Sequence, residues 1–399
     1  MGNWYVAPLS SPPSNPDGSL ANPWATVSIA VDNATAGDII YLLDGSHGPV
    51  VLTDKPFASQ VFIISLNLGM ASMESLDING TSSHLSFISI AYAPVLPHAG
   101  IRMIEVDGTC SYINLDRLTI TGNYAAGHHM DWTPLEWLNT VDGILIQSSN
   151  SIVRDCVLTG VYIGISSGGE DNLITGNTVD GFGADAFRSM GDRTTFNYNH
   201  AQNCFSIDAN HDDGFQSWAT DVSGSVDDLT FEYNTMLEWV GDPAHALRGE
   251  MQGCGLFDGW YDRLKINYNL IQCTAPHGIA TYGVRVGEIM FNTLVDTDLE
   301  TGQYPRILSN DFKGDIDVSN DVRVENNVAN QTTQAAAGTG NTNLNNLVIT
   351  NYTTQFVDAE NGDFTPAVGE GLDGGGHTQG TPAPWLRTIS ANPTFAVTV

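Results

Sequence analysis

The sequence predicts an all-β chain folded as a parallel β-helix, a solenoid in which each coil adds one strand to each of several parallel sheets. Three observations point to this fold class. Asp, Glu, Lys and Arg make up only 15% of the 399 residues, while glycine reaches 41 copies, a composition typical of strands joined by many turns. An asparagine position recurs along the chain, and so does a column of apolar residues.

The first repeat is a polar residue, nearly always asparagine, that follows a short run of alternating apolar and polar residues. Successive copies are 22, 22, 35, 35, 23 and 35 residues apart. A spacing near 22 residues matches one coil of a parallel β-helix, and the longer spacings match coils with an inserted loop. An asparagine at a coil corner can bond to both neighbouring coils, and its backbone tolerates the left-handed conformation. The copies are Asp155, Asn177, Asn199, Asn234, Asn269, Asn292 and Asn327.

The second repeat is a three-residue motif with glycine or alanine in the middle and an apolar residue at the end. It reads DGI at 142–144, IGI at 163–165, DAF at 185–187, DGF at 213–215, CGL at 254–256 and HGI at 277–279. The small residue is expected where the chain turns into a strand, and the apolar ends predict a stacked core column. The first residues should then share one line along the solenoid. They are Asp142, Ile163, Asp185, Asp213, Cys254 and His277.

With these repeats, the sequence resembles the right-handed parallel β-helix family of polysaccharide-active proteins. Residues 22–45 look like the family's opening segment, with an amphipathic helix over roughly 24–33, opened by Asn22-Pro23, before the first strand. Residues 356–374 look like its closing segment. The resemblance covers most of the chain. It implies an N-terminal cap over 1–40, coils over 41–330 and a closing segment over 331–399.

Charge and leader segments limit the partners. The formal net charge is −31, which disfavours binding to nucleic acid or anionic lipid. We find no apolar run near the roughly 18 residues of a membrane span. The start, MGNWYVAPLSSPP, has no signal-peptide pattern. We expect an extracellular protein, and two routes agree with this start: secretion with removal of the signal, or transport on a virion. The five cysteines stand far apart and are expected to be buried free thiols.

The line of motif residues predicts a site on the outer surface. Outward side chains of adjacent coils lie about 4.8 Å apart, so several coils can build one groove. The stretch NHDDGFQSW, residues 210–218, is its densest part. A turn needs one aspartate, so a second one flanked by histidine and tryptophan indicates function. The predicted catalytic residues are Asp185, Arg188, His211, Asp212, Asp213 and His277. The predicted substrate-binding residues are Gln216, Trp218, Arg248, Trp260, Tyr282 and Arg285.

Simpler interpretations stay open for part of this set. Asp-Gly is the commonest turn dipeptide, and we favour a turn role for Asp142. An Asp185–Arg188 pair can equally be an ordinary surface contact.

The pattern is similar to the pectin-hydrolase branch of the β-helix enzymes, which carries N-T-D, D-D, G-H-G and R-I-K on successive coils. The similarity implies Asp185 for the first motif, Asp212 and Asp213 for the second, His277 for the third and Arg285 for the fourth. The chain departs from the branch in three ways: no Asn-Thr precedes Asp185, an extra coil precedes His277, and GVRVG lacks the lysine.

Two long insertions are expected to wall the groove. One spans 123–139 and contains His128, His129, Trp132 and Trp137; the other spans 238–253 and contains His245 and Arg248. Long loops on a regular scaffold are usually functional. We expect that no cofactor is required. If a cation is bound, we expect Ca²⁺ at clustered carboxylates rather than a transition metal at the histidine pair, which lacks a third ligand.

Two functions follow as hypotheses. The first is cleavage of glycosidic bonds in an extracellular acidic polysaccharide, with hydrolysis by an aspartate pair favoured over elimination by a histidine or arginine base. Six basic residues in the central coils would attract an anionic substrate: Arg188, Arg193, Arg248, Arg263, Lys265 and Arg285. The second is a phage tail spike or fibre that binds host glycan, with or without cleavage. The expected oligomeric state is a monomer or a homotrimer.

Overall fold

Each coil of the chain adds one strand to each of three parallel sheets. A computed structural model describes residues 2–11, 14–94, 102–123, 127–220, 224–311, 318–331, 333, 336–372 and 375–376. Within these residues, strands of neighbouring coils pair in parallel and in sequence order. The predicted fold class, an all-β right-handed parallel β-helix, is confirmed.

In the described residues, sheet 1 has 14 strands, sheet 2 has ten and sheet 3 has 12. Sheet 1 consists of Asn3–Val6, Ile39–Leu42, Pro56–Ser65, Ser83–Ile88, Ser111–Asp116, Ile152–Arg154, Leu173–Thr175, Thr195–Asn197, Ser225–Asp227, Thr230–Glu232, Trp260–Asn267, Val284–Met290, Asn320–Glu325 and Thr342–Leu344. Sheet 2 consists of Pro49–Thr53, Ser75–Asn79, Arg102–Val106, Asp142–Ile146, Ile165–Ser167, Asp185–Ser189, Asp212–Trp218, Met251–Asp258, His277–Tyr282 and Arg306–Asn310. Sheet 3 consists of Gly45–Ser46, Ala71–Met73, Ala91–Tyr92, Thr119–Thr121, Val157–Val161, Thr178–Phe182, His200–Cys204, Thr235–Leu237, Leu270–Gln272, Thr293–Val295, Val328–Ala329 and Leu347–Val348.

The helices are short. They span Val27–Asn33, Pro134–Trp137 and Tyr352–Gln355, with single 3₁₀ turns at His129–Asp131 and Ala359–Asn361. The first helix buries Val27, Ala30 and Val31 in the solenoid core, which confirms the predicted N-terminal capping helix. It begins later than predicted, because the backbone of Trp24 pairs with Tyr5 and the Thr26 side chain caps the helix by accepting from the N–H of Ile29.

A ladder of asparagines runs through the corner between sheets 1 and 3. Asn199 Oδ1 accepts from the backbone N–H of Asn177, one coil earlier, at 3.0 Å, and its Nδ2 donates to the carbonyl of Ile174 at 2.9 Å. The predicted positions from Asn177 to Asn327 all belong to this ladder. It continues to Asn346, whose Oδ1 accepts from the N–H of Asn327 at 2.9 Å.

Two details of the predicted ladder were wrong. Asp155 lies outside it, because Cys156 takes the ladder position and its backbone N–H donates to Asn177 Oδ1 at 3.0 Å. The left-handed backbone conformation falls on the residue before each asparagine, for example Tyr198 and Tyr233, with φ of 56° and 57°. The asparagine itself is held by hydrogen bonds to both neighbouring coils.

The apolar column is confirmed except at one coil. Phe215 pairs with Cys254, and Cys254 pairs with Ile279, so Cys254 is a core residue rather than a member of the outer line. Gln252 takes the predicted place of Cys254 beside Asp213. The motif QGC at 252–254 and the motif CGL at 254–256 differ by two residues, a shift that preserves which side chains point inward. Alternation alone therefore could not distinguish them.

The two long insertions pack together outside the solenoid. Trp132 and Trp137 of the first insertion form a buried cluster with Phe205 and with Trp239 of the second. His245 Nε2 lies 3.0 Å from the carbonyl oxygen of Met130, which joins the two insertions directly. A further buried cluster covers sheet 3 near the C-terminus; its members include Leu270, Val295, Val328, Tyr352, Phe356 and Phe364. In the described residues, we find no helix with the length and apolar character needed to cross a membrane.

Candidate active site

The candidate site lies where strands of sheet 2 begin. The register pairs Asp185 with Asp213, and Asp213 with Gln252 on the next coil. The sequence alignment of Asp185 with Asp213 on one line is therefore confirmed. His277 extends the line, since its Nδ1 lies 3.2 Å from Gln252 Oε1.

Asp185 is held beneath an arginine. Arg188 Nε donates to Asp185 Oδ2, and Asp185 Oδ1 accepts from the backbone N–H of Asp213 at 3.1 Å. The carboxylate is fully buried, whereas the Arg188 side chain is 21% exposed. Burial raises the pKa of Asp185, and the charge of Arg188 opposes that rise. Within the described residues, Arg188 makes its side-chain hydrogen bond through Nε, and its two terminal nitrogens have no hydrogen-bond partner there.

Asp213 is buried beneath a histidine. Its Oδ2 lies 2.9 Å from His211 Nδ1 and accepts from Gln216 Nε2 at 3.3 Å, while Oδ1 is buried without a hydrogen-bond partner among the described residues. Burial, together with the carboxylates of Asp185 and Asp212, raises the pKa of Asp213 to about 9. The His211 side chain is 56% exposed, so its other ring nitrogen is left for a ligand.

Asp212 points to the opposite side of its strand, as consecutive strand residues do. Its Oδ2 accepts from the Cys204 thiol at 3.5 Å, inside the core. Burial is the main cause that raises the pKa of Asp212, to about 8. The sequence placed Asp212 beside Asp213 on the outer face; the structure places it beneath that face.

The segment that leads to His211 is anchored at two points, Phe205 and Asp208. Phe205 packs in the aromatic cluster of the insertions, with its ring 4.2 Å from that of Trp137. Asp208 accepts from the Tyr162 hydroxyl at 2.8 Å, and burial together with Asp208 raises the pKa of Tyr162 to about 12. The insertions therefore support the back of the His211 segment. Tyr162, a neighbour of the site, was not predicted because it lies in the turn before the IGI motif.

Beyond Gln252, the line continues with aromatic and basic side chains. The Phe257 ring lies 5.4 Å from His277 and 5.5 Å from Tyr282. Burial lowers the pKa of His277, and the nearby Arg306 and His211 lower it further. Arg306 pairs with His277 in the register. Arg306 was not predicted as a site residue, although a polar residue directly before the apolar Ile307 and Leu308 fits the first outward position of a strand.

At the other end of the line, Asp142 shares the outer face. Arg102 Nε lies 3.9 Å from Asp142 Oδ2, and Arg102 also pairs with Glu105 at 3.2 Å. Burial raises the pKa of Asp142 to about 6, against the opposing charges of Arg102 and Arg188. Asp142 is thus more than a solvated turn residue.

The structure separates the remaining predicted residues. Gln216 and Trp218 lie at the centre, where the Arg188 guanidinium carbon is 5.8 Å from the centre of the Trp218 ring. Trp260 and Arg285 lie on sheet 1, where Arg285 pairs with Asp262 at 2.7 Å and lies over the Trp260 ring. Arg248, in the second insertion, pairs with Asp298 at 2.8 Å and with Glu238 at 3.5 Å. Of the six basic residues expected to attract an anion, only Arg188 lies on sheet 2.

In the part of the chain that the structure describes, no group of three or more His, Cys, Asp and Glu side chains is arranged to hold a metal ion. His129, from the predicted histidine pair, is buried and lies 3.3 Å from Asp180 Oδ1. Binding of Ca²⁺ stays a prediction.

Comparisons with known proteins find similar solved structures at low sequence identity. An alginate lyase from Paenibacillus sp. str. FPU-7 has 13% identity and a TM-score of 0.48, over 88% of this chain and 98% of that one. Pectate lyase Pel9A has 14% identity and a TM-score of 0.49, over 99% and 90%. The lacto-N-biosidase from Eubacterium ramulus has 13% identity and a TM-score of 0.44, over 87% and 68%. No family model and no curated protein matches the sequence.

Proposed function

We propose that this protein cleaves an acidic polysaccharide on the outer face of sheet 2 by β-elimination, with His211 as the base. The observation that carries the proposal is which side chains of the site are buried and which are exposed. The carboxylates of Asp185 and Asp213 are fully buried, and an exposed His211 and a partly exposed Arg188 lie above them. The groups that can touch a substrate are an imidazole and a guanidinium.

The burial of both carboxylates disfavours the hydrolysis that the sequence suggested. A glycosidase needs one carboxyl group to protonate the glycosidic oxygen and another to reach water or the sugar. Neither Asp185 nor Asp213 has any exposed surface. Asp185 is moreover engaged by Arg188, and Asp213 by His211 and Gln216. Both carboxylates instead hold the more exposed side chains in place, Asp185 that of Arg188 and Asp213 that of His211.

In the proposed reaction, the free ring nitrogen of His211 removes the proton on the sugar carbon next to the uronate carboxylate. The electron pair of that C–H bond forms a double bond with the neighbouring carbon, whose bond to the glycosidic oxygen breaks. The oxygen leaves with a proton, which the protonated imidazole returns. The reaction requires that Nδ1–H of His211 donates to the carboxylate of the buried Asp213, which orients the ring and leaves the other ring nitrogen free to act as the base.

The remaining requirement is stabilisation of the negative charge that develops on the uronate. Arg188 is preorganised for this role, because its Nε is held by Asp185 and its guanidinium stacks over Trp218. Its terminal nitrogens can donate to both oxygens of a carboxylate in a bidentate pair. Gln216 lies beside it in the same outward row as a donor or acceptor for sugar hydroxyls.

The test is digestion of a panel of polyuronates and neutral glycans, followed by ultraviolet absorbance and mass spectrometry. We expect products from a polyuronate with an unsaturated sugar at the new end, and no cleavage by the His211→Gln variant. Saturated products carrying one added water, or full activity of the variant, would refute elimination by His211. A polymeric substrate also agrees with the expected extracellular location, which stays a prediction along with the oligomeric state.

A further inference from the structure

The outer face of sheet 2 ends at an arginine that has no carboxylate partner among the described residues. Arg306 begins the strand Arg306–Asn310, which lies at one edge of the sheet. Every other arginine in the described part of the chain forms an ion pair with Asp or Glu. In a chain with 45 acidic and 14 basic residues, an arginine without such a partner is unexpected unless a ligand supplies the anion.

The immediate surroundings of Arg306 fix its side chain and leave it unsatisfied. Its Nε is buried, with no hydrogen-bond partner in the described residues. The guanidinium carbon lies 5.6 Å from the centre of the Tyr304 ring, a cation–π arrangement that holds the plane of the group. A buried N–H without an acceptor is unfavourable. An anionic oxygen bound to the guanidinium would form both an ion pair and a hydrogen bond with it.

Arg306 also lies on the line of the candidate site. The register runs from Asp213 to Gln252, then to His277 and Arg306. Three steps of about 4.8 Å place it about 14 Å from the Asp213 backbone along the solenoid. A sugar residue of an extended glycan is about as long as one such step. The rings of Phe257, His277 and Tyr282 line the path between the two points.

The opposite end of the line has no equivalent. Arg102 is engaged by Glu105 and lies near Asp142, so its charge is neutralised by the protein itself. The two ends of the line therefore differ: Arg102 is paired with acidic side chains of the protein, whereas Arg306 has no such partner among the described residues.

We infer that Arg306, supported by Tyr304 and His277, is a distal subsite that binds an anionic group of the glycan about three sugar residues from the bond that is cleaved. The inference rests on the proposed function for the position of the cleaved bond. It adds that the substrate extends toward the C-terminal coils and carries charge on more than the reacting sugar. A carboxylate and a sulfate share the required chemistry.

The experiment measures binding, so that it does not depend on cleavage. In the His211→Gln background, isothermal titration compares Arg306→Gln with unaltered Arg306, using di- and hexagalacturonate, a sulfated hexasaccharide and a neutral hexasaccharide. We expect Arg306→Gln to weaken binding of an acidic hexamer by about 10- to 100-fold, as loss of a charge-assisted hydrogen bond does, and to leave dimer binding unchanged. Comparing carboxylated with sulfated hexamers identifies the anion.

Two controls separate charge from folding. Lys265→Gln removes another exposed cation that has no ion pair among the described residues, on sheet 1, and should leave hexamer binding unchanged. Arg306→Lys keeps the charge and should retain part of the affinity. Equal affinity of Arg306→Gln for the hexamers, an equal loss for dimers and hexamers, or no binding of any acidic hexamer by the parent would overturn the subsite. If the parent binds but the unmodified enzyme cleaves nothing, the proposed function fails and the subsite stands.

Discussion

Asp213 Oδ2 lies 2.9 Å from Nδ1 of His211, and the two partners differ in exposure: the carboxylate is fully buried and the imidazole is 56% exposed. A buried acid beneath an exposed base is an arrangement that fixes which ring nitrogen faces a substrate. The consequences of this pair and of its neighbours can be measured one by one.

The first prediction concerns Asp213→Asn. The amide keeps the shape of the side chain but no longer holds His211 in its reactive tautomer, so we expect kcat to fall by about 10²- to 10⁴-fold. The melting temperature should change little, because the amide has nearly the same shape and volume as the carboxyl group it replaces. Steady-state kinetics with the polyuronate identified in the panel, together with thermal unfolding, provides the check. Unchanged kcat in a folded variant would remove Asp213 from the mechanism.

The second prediction concerns the ion pair of Arg188 with Asp185. Arg188→Ala leaves a fully buried carboxylate without its cation, and we expect the free energy of unfolding to fall by about 3–5 kcal/mol. The double variant Asp185→Asn/Arg188→Ala should recover part of that loss, since the buried charge is gone. Urea unfolding of the four proteins completes a double-mutant cycle. Additive losses would mean that the two side chains do not interact.

The third prediction concerns pH and Asp212. Its pKa is raised in the folded protein to about 8, above the value of 3.8 for an unperturbed aspartate, so the folded state holds a proton that the unfolded state releases. Its contribution to stability is present below about pH 4 and is lost as the pH rises toward about 8, at up to about 1.4 kcal/mol per pH unit.

The Asp212→Asn variant lacks this titration. Between pH 5 and pH 8 we expect the wild-type protein to lose stability relative to this variant in urea unfolding. The exposed Asp258→Asn variant serves as the matched control and should run parallel to wild type. Parallel curves for Asp212→Asn and wild type would show that Asp212 is ionised in the folded state.

The fourth prediction concerns the asparagine ladder. Asn234 is fully buried and serves the N–H of Asn199, the carbonyl of Phe196 and the side chain of Asn269. Replacing it with alanine leaves buried backbone groups unpaired, at a cost of about 1–3 kcal/mol each. Asn346→Ala, at the partly exposed end of the ladder, should cost less. Chemical denaturation measures both, and equal small losses would contradict a structural role for the ladder.

The sequence predicted the solenoid well because a coil corner imposes one residue type. Only a side chain with a donor and an acceptor fits the buried position that Asn177 and Asn199 share. The same logic failed at Asp155, where Cys156 fills the position and only its backbone N–H takes part. A corner residue that contributes only its backbone leaves no side-chain signature.

The candidate site was predictable only in part. The shared line of Asp185 and Asp213 follows from equal motifs, but their complete burial depends on side chains from neighbouring coils and from the His211 segment. Arg306 escaped because the register shifts between His277 and Ile279, so its strand lacks the small middle residue of the motif. Trp260 and Arg285 were misplaced because the chain moves from sheet 2 onto sheet 1 after Asp258 and again after Tyr282.

The most direct measurement is digestion of a polyuronate in isotopically labelled water, with the products weighed by mass spectrometry. Elimination adds no water across the cleaved bond, so we expect unlabelled products that carry a new double bond and absorb in the ultraviolet. These products should be missing in His211→Gln and strongly reduced in Asp213→Asn. Saturated products with one labelled oxygen at each cleaved end would contradict the account, because they would require hydrolysis by groups that can reach the glycosidic oxygen.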